Sequence, residues 1–281
     1  MIRDLAGVEQ CAAVVRLQAA VWGEASDIVP ASLLAVSARR GGILLGAFDD
    51  GGEDGDPVGF VWSLPARRDG GWTQWSHMLG VLPAARGRGL GMALKLAQRE
   101  RALAQGLDLI EWTFDPLQAR NAHLNLTRLG CVASSYVENA YGSLEGPLFS
   151  GTPTDRLVAE WWIRRPHVER RVAAEQDAAA GRRAFTARAA GVADAQPLIV
   201  TRPDGRWAAP EDVVPPTSRR ATIAVPAAFS EMQTADQALA LEWRLAVRRA
   251  FQAAFAGGYQ AVDFFFDRQT GDGRYLLARD A

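Results

Sequence analysis

One segment of the chain, Leu79-Gly-Val-Leu-Pro-Ala-Ala-Arg-Gly-Arg-Gly-Leu-Gly91, restricts the fold more than any other. It predicts a β-strand that ends before Pro83, then a loop rich in arginine and glycine, and then an α-helix. The apolar side of that helix is formed by Leu90, Ala93, Leu94 and Ala97. Such a loop places the unpaired N–H groups of the helix start around one point, and Arg86 and Arg88 add positive charge there. Because glycines also let an anion approach the backbone, the segment predicts a site for a pyrophosphate group.

The spacing of the glycines separates the classes of nucleotide-binding loop. Counted from Gly87, a G-x-G-x-x-G dinucleotide motif would need its third small residue where Met92 stands, and the chain contains no G-x-x-x-x-G-K-[ST]. The spacing present is R-x-x-G-x-G, at Arg86, Gly89 and Gly91, directly after a strand that ends in V-x-P. In this the chain resembles the GNAT superfamily of acetyl-CoA-dependent N-acyltransferases, which carry Q/R-x-x-G-x-G/A at the same strand–helix junction.

The resemblance implies acetyl-CoA as the acyl donor, no metal, and a strand that splays from its neighbour to expose backbone groups to the pantetheine arm. The backbone groups that would contact pantetheine and polarise the thioester are those of Leu79, Gly80 and Val81. The residues that would hold the pyrophosphate are Arg86, Gly87, Arg88, Gly89, Leu90 and Gly91. Asn121, on the following predicted helix, is a further candidate coenzyme ligand.

The order of the predicted elements agrees with that family from residue 1 to about residue 165. The helices are predicted near residues 8–22, 30–40, 90–105 and 117–129, and the strands near 43–48, 58–64, 72–82, 107–114, 132–139 and 156–163. In the first helix, Val8, Cys11, Val15 and Trp22 share one face. The acidic segment 49–56 predicts a hairpin turn, because Val61 stands where a calcium loop needs its bidentate glutamate. The predicted fold class is mixed α/β, with a GNAT-like central mixed sheet flanked by helices.

The C-terminal third predicts a smaller α/β module. Four prolines within residues 202–218 predict irregular chain there. A strand, a long helix ending at Gly257-Gly258 and two further strands follow, near residues 221–225, 239–256, 260–266 and 274–278. This order repeats that of residues 79–112, so the module is either a degenerate half copy of the first domain or an unrelated capping domain. At the position that corresponds to the pyrophosphate-binding loop, the module has Phe229-Ser-Glu-Met-Gln instead. No second coenzyme site is therefore expected.

Three parts are therefore predicted: a coenzyme-binding domain over residues 1–165, a helical linker over 166–195 and the C-terminal module over 196–281. The formal net charge is −1, which gives no overall field to attract nucleic acid or an anionic membrane. No apolar run reaches the roughly 18 residues of a membrane span. We expect a cytoplasmic protein that acts on a small-molecule or peptide amine, without nucleic-acid or membrane partners, and a homodimer is compatible with the sequence.

Acyl transfer to an amine needs a base for the ammonium, a hydrogen-bond donor for the charge that develops on the thioester oxygen, and a proton for the departing thiolate. On the strand predicted over residues 72–82, alternation places Trp75, His77, Leu79 and Val81 on one face. Only His77 there titrates near neutrality, so His77 is the candidate base and Glu111 is the competing candidate. The alternatives are a hydrogen-bonded structural histidine and a solvated or arginine-paired carboxylate.

One position departs from the family pattern. Many GNAT enzymes have a tyrosine on the helix after the fifth strand, within N-x-x-A-x-x-x-Y-x-x-x-G-F. Aligned on Ala122 and Gly130, this chain has Leu126 at that position, so the usual proton donor to the thiolate is missing. The residues left to bind coenzyme or substrate, or to supply the proton, are Asn121, Asn125, Tyr136 and Tyr141.

The segment Trp112–Asn121 collects aromatic, acidic and amide groups at a strand-to-helix corner and predicts the acceptor pocket, although capping by Asp115 would explain part of this composition. Two functions fit these observations. The first is an N-acyltransferase that moves an acetyl or short acyl group from coenzyme A to an amine by direct transfer in a ternary complex. The second is a non-catalytic acyl-CoA-binding protein with a regulatory or scaffolding role.

Overall fold

The computed structural model describes residues 1–23, 28–49, 55–142, 152–176, 194–204, 206–266 and 272–279. The chain divides into two compact units. Unit 1 comprises Met1–Trp112 and Trp162–Arg164, and unit 2 comprises Thr113–Trp161 and Arg165–Ala281. The three-part division expected from the sequence stays a prediction, and residues 177–193 of the expected linker lie outside the described residues.

Unit 1 contains neighbouring strands in the order β1-β2-β3-β4-β5. Their bounds are β1 Ile2–Asp4, β2 Ile43–Ala47, β3 Gly59–Arg68, β4 Gly71–Val81 and β5 Leu109–Phe114. The pairs from β1 to β4 are antiparallel, whereas β4 and β5 are parallel, which confirms the predicted mixed sheet. The β2–β3 pairing also confirms the hairpin expected around residues 49–56, of which 50–54 lie outside the described residues.

Three helices cover the strands of unit 1: α1 Val8–Trp22, α2 Ala31–Arg39 and α3 Leu90–Ala104. α1 and α2 pack on the face that carries Leu44, Phe60 and Trp62. α3 packs on the opposite face, where Leu94 and Val81 approach Gly59. The predicted face of α1 is wrong at its first residue, because Val8 is exposed while Cys11, Val14 and Leu17 are buried.

The buried side of α3 is more polar than the sequence predicts. Of the expected apolar stripe, Leu94 is fully buried, but Leu90, Ala93 and Ala97 are only half-buried. The buried positions include Lys95, Gln98 and Arg99, because the helix packs against a part of the sheet that offers polar partners.

Unit 2 begins at the end of β5. A short helix, α4 Ala119–Ala122, continues as a π-helical turn over His123–Arg128, so the helix expected over 117–129 starts later and changes its winding. The strand β6, Tyr136–Val137, is shorter than the predicted 132–139 and pairs antiparallel with β7, Arg156–Trp162. The helix α5, Pro166–Gln176, follows.

The rest of unit 2 forms a four-stranded sheet in the order β12-β13-β11-β8, with helices beside it. Its strands are β8 Gln196–Pro197, β11 Arg220–Val225, β12 Gln260–Phe266 and β13 Gly273–Ala278, and the helices are α6 Phe229–Ala235 and α7 Gln237–Ala256. The long predicted helix is confirmed, and its apolar positions, Leu239, Trp243, Ala246, Val247, Ala250 and Ala254, are buried. However, β13 lies between β11 and β12, whereas β4 and β5 pair directly, so the element order repeats but the pairing does not.

The prediction of irregular chain over residues 202–218 is wrong for its first part. β9, Ile199–Asp204, and β10, Trp207–Val213, form an antiparallel two-stranded ribbon. Pro203 and Pro210 are tolerated there because each strand of a ribbon has one edge that needs no ladder hydrogen bonds, and the register shifts just after Pro210. Within the described residues, no helix is both long enough and apolar enough to cross a membrane.

Candidate coenzyme site

The strands β4 and β5 separate in the middle of β4. They pair only at Gln74↔Ile110 and Trp75↔Glu111, while β4 runs on to Val81. On its other side β4 stays paired with β3 as far as Val81. The two strands thus form a fork, the opening between β4 and β5 that begins after Trp75 and Glu111. This is the splayed form expected from the family resemblance.

The loop after β4 has the backbone conformation that an anion cradle requires. A single 3₁₀ turn, Pro83–Ala85, leads from β4 to Arg86. Gly87 and Gly89 both have φ of +78°, a left-handed conformation that side-chain-bearing residues avoid. Gly89 is also the N-cap of α3, and a Cβ built at either glycine would meet nothing within 4 Å. The loop therefore presents open space above its backbone.

Several backbone N–H groups around this space have no acceptor. Within the described part of the chain, the N–H groups of Gly87, Gly89, Leu90, Gly91 and Met92 donate to no protein atom, and the first helical bond runs from Ala93 to the Gly89 carbonyl. These donors lie at the N-terminus of a 15-residue helix, where the aligned peptide dipoles contribute a partial positive charge. The arrangement fits a multiply charged anion such as a pyrophosphate.

The two arginines of the loop have different partners. Arg86 is exposed and its Nε donates to the Val81 carbonyl at 3.1 Å, which holds its side chain over the end of β4. Arg88 forms an ion pair with Asp49 at 2.6 Å between Nη2 and Oδ1, with both side chains about half exposed. The sequence prediction missed Asp49, because its distance along the chain from Arg88 hides the pairing.

Gly80 lies where β4 approaches α1 closely. A Cβ at Gly80 would lie 3.0 Å from Cη2 of Trp22 and 3.1 Å from Cε1 of Phe60. Those rings pack edge to face with their centroids 5.8 Å apart. The absence of a side chain at Gly80 thus lets two aromatic rings press against the backbone of the candidate pantetheine strand.

His77 is the unmatched residue of a β-bulge. Trp62 pairs with Met78 and Ser63 pairs with Ser76, so His77 has no partner on β3. The bulge makes the predicted alternation of side chains wrong. Ser76 contacts Lys95 of α3, and Leu79 approaches Gly91 of α3, so Ser76 and Leu79 lie on the same face of the sheet. A period of two cannot hold across an extra residue, and Trp75 and Leu79 therefore lie on opposite faces.

The His77 side chain is exposed, and its ring packs edge-on against Trp62 with the centroids 5.2 Å apart. Neither ring nitrogen hydrogen-bonds to any residue that the structure describes. Partial burial lowers the pKa of the imidazole below its ordinary value of 6.5. The ring is therefore neutral at physiological pH and can accept a proton there.

Glu111 has an arginine partner. Its Oε1 accepts from Arg68 Nη1 at 2.8 Å, and its Oε2 accepts from the Thr73 hydroxyl at 3.3 Å. The geometry thus favours the arginine-paired interpretation of Glu111.

The candidate acceptor corner lies mainly in unit 2 and has a structural explanation. Asp115 accepts from the backbone N–H of Leu117 at 2.8 Å and from both terminal nitrogens of buried Arg244, at 2.6 and 2.8 Å. The helix begins at Ala119 and not at Pro116, so Asp115 stabilises a turn and not the expected helix cap. Asn121 also lies in unit 2, on α4, and is exposed.

The tyrosines considered as proton donors also belong to unit 2. The Tyr136 hydroxyl donates to Asp155 at 2.7 Å, and burial together with that carboxylate raises its pKa well above the ordinary value. Burial alone would raise the pKa of Asp155, but hydrogen bonds from Arg248, the Asn139 backbone and Tyr136 outweigh it and lower that pKa. Tyr141 is exposed and its hydroxyl lies 3.0 Å from that of Thr113, while Leu126 is buried on the π-helical turn.

One comparison with known proteins falls on the part of the chain that holds this site. A family model described as acetyltransferase (GNAT) family matches residues 14–130. A comparison with curated protein sequences gives no match. Solved structures with similarity include an acetyltransferase of the GNAT family from Streptococcus pneumoniae, with 18% identity and a TM-score of 0.46, covering 57% of this chain and 97% of that chain.

Two further solved structures cover a similar share of this chain. An IAA acetyltransferase from Bacillus cereus has 17% identity and a TM-score of 0.42, covering 57% of this chain and 97% of its own. An aminoglycoside 6'-acetyltransferase type Ii has 19% identity and a TM-score of 0.44, covering 59% of this chain and 99% of its own.

Among the described residues, no group of three or more His, Cys, Asp or Glu side chains is placed to hold a metal ion.

Proposed function

Residues 14–130 form a GNAT acetyltransferase domain, and from this premise we propose that the chain transfers an acetyl or other short acyl group from coenzyme A to an amine. The transfer is direct and takes place in a ternary complex. The observation that carries the proposal is the set of backbone N–H groups at residues 87 and 89–92, which surround an open glycine loop and have no acceptor within the described chain. Acetyl-CoA supplies the activated acyl group when it is bound.

The residues of unit 1 take distinct roles in this proposal. The N–H groups of the loop bind the pyrophosphate, while Arg86 and Arg88 neutralise its charge. To do so, Arg88 exchanges Asp49 for the anion. The backbone of residues 79–81, on the unpaired side of β4, binds pantetheine and orients the thioester.

His77 is the proposed base. It follows Ser76, the first residue of β4 beyond the pairs with β5, and its imidazole is exposed to solvent. The lowered pKa keeps the imidazole neutral when the ammonium substrate arrives. Glu111 is less suited, because Arg68 and Thr73 already occupy its oxygens. Most of the rate enhancement then comes from holding acyl donor and amine together, with His77 removing the proton before attack.

A calorimetric titration with acetyl-CoA, repeated on Gly89→Glu, tests the proposal. The glutamate places a negative charge and extra volume in the loop, so we expect binding by the parent protein and none by the variant. A panel of small amines and peptides, with release of the coenzyme thiol as the readout, then tests transfer. Absence of binding by a folded parent protein would refute the proposed function.

One observation favours a second candidate function, a non-catalytic acyl-CoA-binding protein. Leu126, at the position of the family's tyrosine, is buried and cannot donate a proton to the thiolate. Tight binding of acetyl-CoA without thiol release for any amine in the panel would support this alternative over transfer.

A further inference from the structure

The vertex of the fork is filled by a polar cluster. The last paired residues of β4 and β5 are Trp75 and Glu111, so the first unpaired residue is Ser76 on one strand and Trp112 on the other. Lys95 of α3 contacts both: its Nζ donates to the Ser76 hydroxyl at 2.9 Å and lies 3.5 Å from the centroid of the Trp112 ring. Lys95 thus joins the two strands at the point where their own hydrogen bonding ends.

A second side chain of α3 completes the cluster. Gln98 donates from Nε2 to the Ser76 hydroxyl at 3.0 Å and accepts from Lys95 Nζ at 3.2 Å. Lys95 is only 4% exposed, and Ser76 and Gln98 are buried as well. Burial of an ammonium group is costly unless hydrogen bonds and an aromatic face compensate, and Lys95 has both. Lys95 is also the chain's only lysine.

The position of Lys95 connects the two halves of the proposed coenzyme site. The cradle lies at the start of α3, at Gly89, and Lys95 follows six residues later, about 9 Å along the helix axis. One rigid helix therefore carries the anion-binding N–H groups at its end and the lysine that holds the fork in its second turn. A change in how α3 sits on Ser76 and Trp112 would alter the distance between cradle and fork.

We propose that Lys95 is a positioning residue of the coenzyme site: its ammonium ties α3 to the first unpaired residue of each strand and fixes the fork that receives the pantetheine arm. The inference rests on the proposed function, because it assigns the fork to acyl-CoA. It assigns Lys95 no contact with the reacting atoms. Its effect reaches the coenzyme through Ser76 and the backbone of β4.

The first test compares two buried cations of the same helix. Lys95→Met keeps an unbranched side chain of similar length but removes the ammonium from the fork. The matched control is Arg99→Met. Arg99 is also a buried cation of α3, but its Nε and Nη2 donate to the Ile163 carbonyl at 3.1 and 2.8 Å, and no described hydrogen bond joins it to Ser76 or Trp112. We expect Lys95→Met to weaken acetyl-CoA binding by about tenfold, or about 1.4 kcal/mol, because the fork is no longer held in the form that receives the pantetheine arm. Arg99→Met should bind like the parent.

In turnover assays the same change should appear in KM for acetyl-CoA, with a smaller effect on KM for the amine. Equal acetyl-CoA affinity of Lys95→Met and the parent, in folded proteins, would overturn the inference. Failure of the parent itself to bind acetyl-CoA would instead refute the proposed function, on which the inference rests.

The second test needs no variant and exploits the single lysine. Protein grown with lysine labelled with ¹³C at Cε gives one lysine side-chain resonance. We expect acetyl-CoA to shift this resonance with the same Kd as calorimetry gives. ADP, which carries the pyrophosphate without pantetheine, should leave it nearly in place. A resonance that does not move while calorimetry reports bound acetyl-CoA would overturn the inference.

Discussion

A methyl group added at Gly89 separates the conformational role of this glycine from its role in binding. Gly89 has φ of +78°, where an alanine costs about 1–2 kcal/mol, and no atom lies within 4 Å of the added Cβ. Gly89→Ala should therefore lower the free energy of unfolding by that conformational cost alone. The same Cβ would occupy the open space over the loop and hold an anion away from the N–H groups. One hydrogen bond from such a group to a charged oxygen is worth about 1.5–3 kcal/mol, so acetyl-CoA affinity should fall about 10- to 150-fold.

Gly106→Ala is a matched control for this prediction. Gly106 follows the C-terminal end of the same helix, has φ of +75°, and likewise offers open space to a Cβ. Urea denaturation should therefore report similar losses of unfolding free energy for the two variants. Calorimetry should report weaker acetyl-CoA binding for Gly89→Ala alone. Equal affinities in both variants would show that the loop after β4 does not bind the coenzyme.

Three further predictions test other residues. His77→Gln should lower kcat about 10²- to 10⁴-fold with coenzyme affinity unchanged, and in the parent protein the pH–rate profile should fall only below the lowered pKa of this imidazole, because protonation at lower pH removes the base. Unchanged turnover of His77→Gln would exclude it as the base. Asp49→Asn should strengthen acetyl-CoA binding by up to about fivefold at low salt by releasing Arg88 from an exposed pair, an effect that about 1 M salt should abolish. The control Asp56→Asn, which breaks the exposed pair with Arg16, should bind like the parent, and equal affinity of both variants would count against competition at Arg88. Arg244→Met should destabilise unit 2 by about 3–5 kcal/mol in denaturant titrations, because it removes both hydrogen bonds from the buried guanidinium and leaves Asp115 with only the Leu117 N–H and the more distant Arg156, 3.7 Å away. The double variant with Asp115→Asn should recover part of that loss. No recovery in the double variant would contradict this account.

The part of the site that could be predicted from the sequence is the part with local determinants. The turn, the left-handed glycines and the helix start all lie between Pro83 and Gly91, so residue types at fixed spacing are enough to indicate them. The mixed sheet followed from the order of strands and helices for the same reason.

The features that could not be predicted depend on partners distant in sequence. Arg68 meets Glu111 from 43 residues away, and Lys95 meets Ser76 from 19 residues away. The bulge at His77 leaves no mark in the alternation of polar and apolar residues, so the face of the side chains beyond it was predicted wrongly. The prolines of β9 and β10 misled because their cost depends on which strand edge they face, and that edge is set by pairing.

The bulge has a consequence for how the chain tolerates changes of length. Ser76 and Met78 already pair with consecutive residues of β3, so a chain shortened by residue 77 would form an uninterrupted ladder with every other partner kept. Such a deletion should leave the melting temperature nearly unchanged, whereas removal of Ser76 or Met78 would put His77 in the position opposite Ser63 or Trp62 and lose a side chain that packs inside the protein. The backbone of β4 has no need of a residue at this position. His77 is thus an extra residue that has no pairing partner on β3, and it places one exposed imidazole next to the opening between β4 and β5.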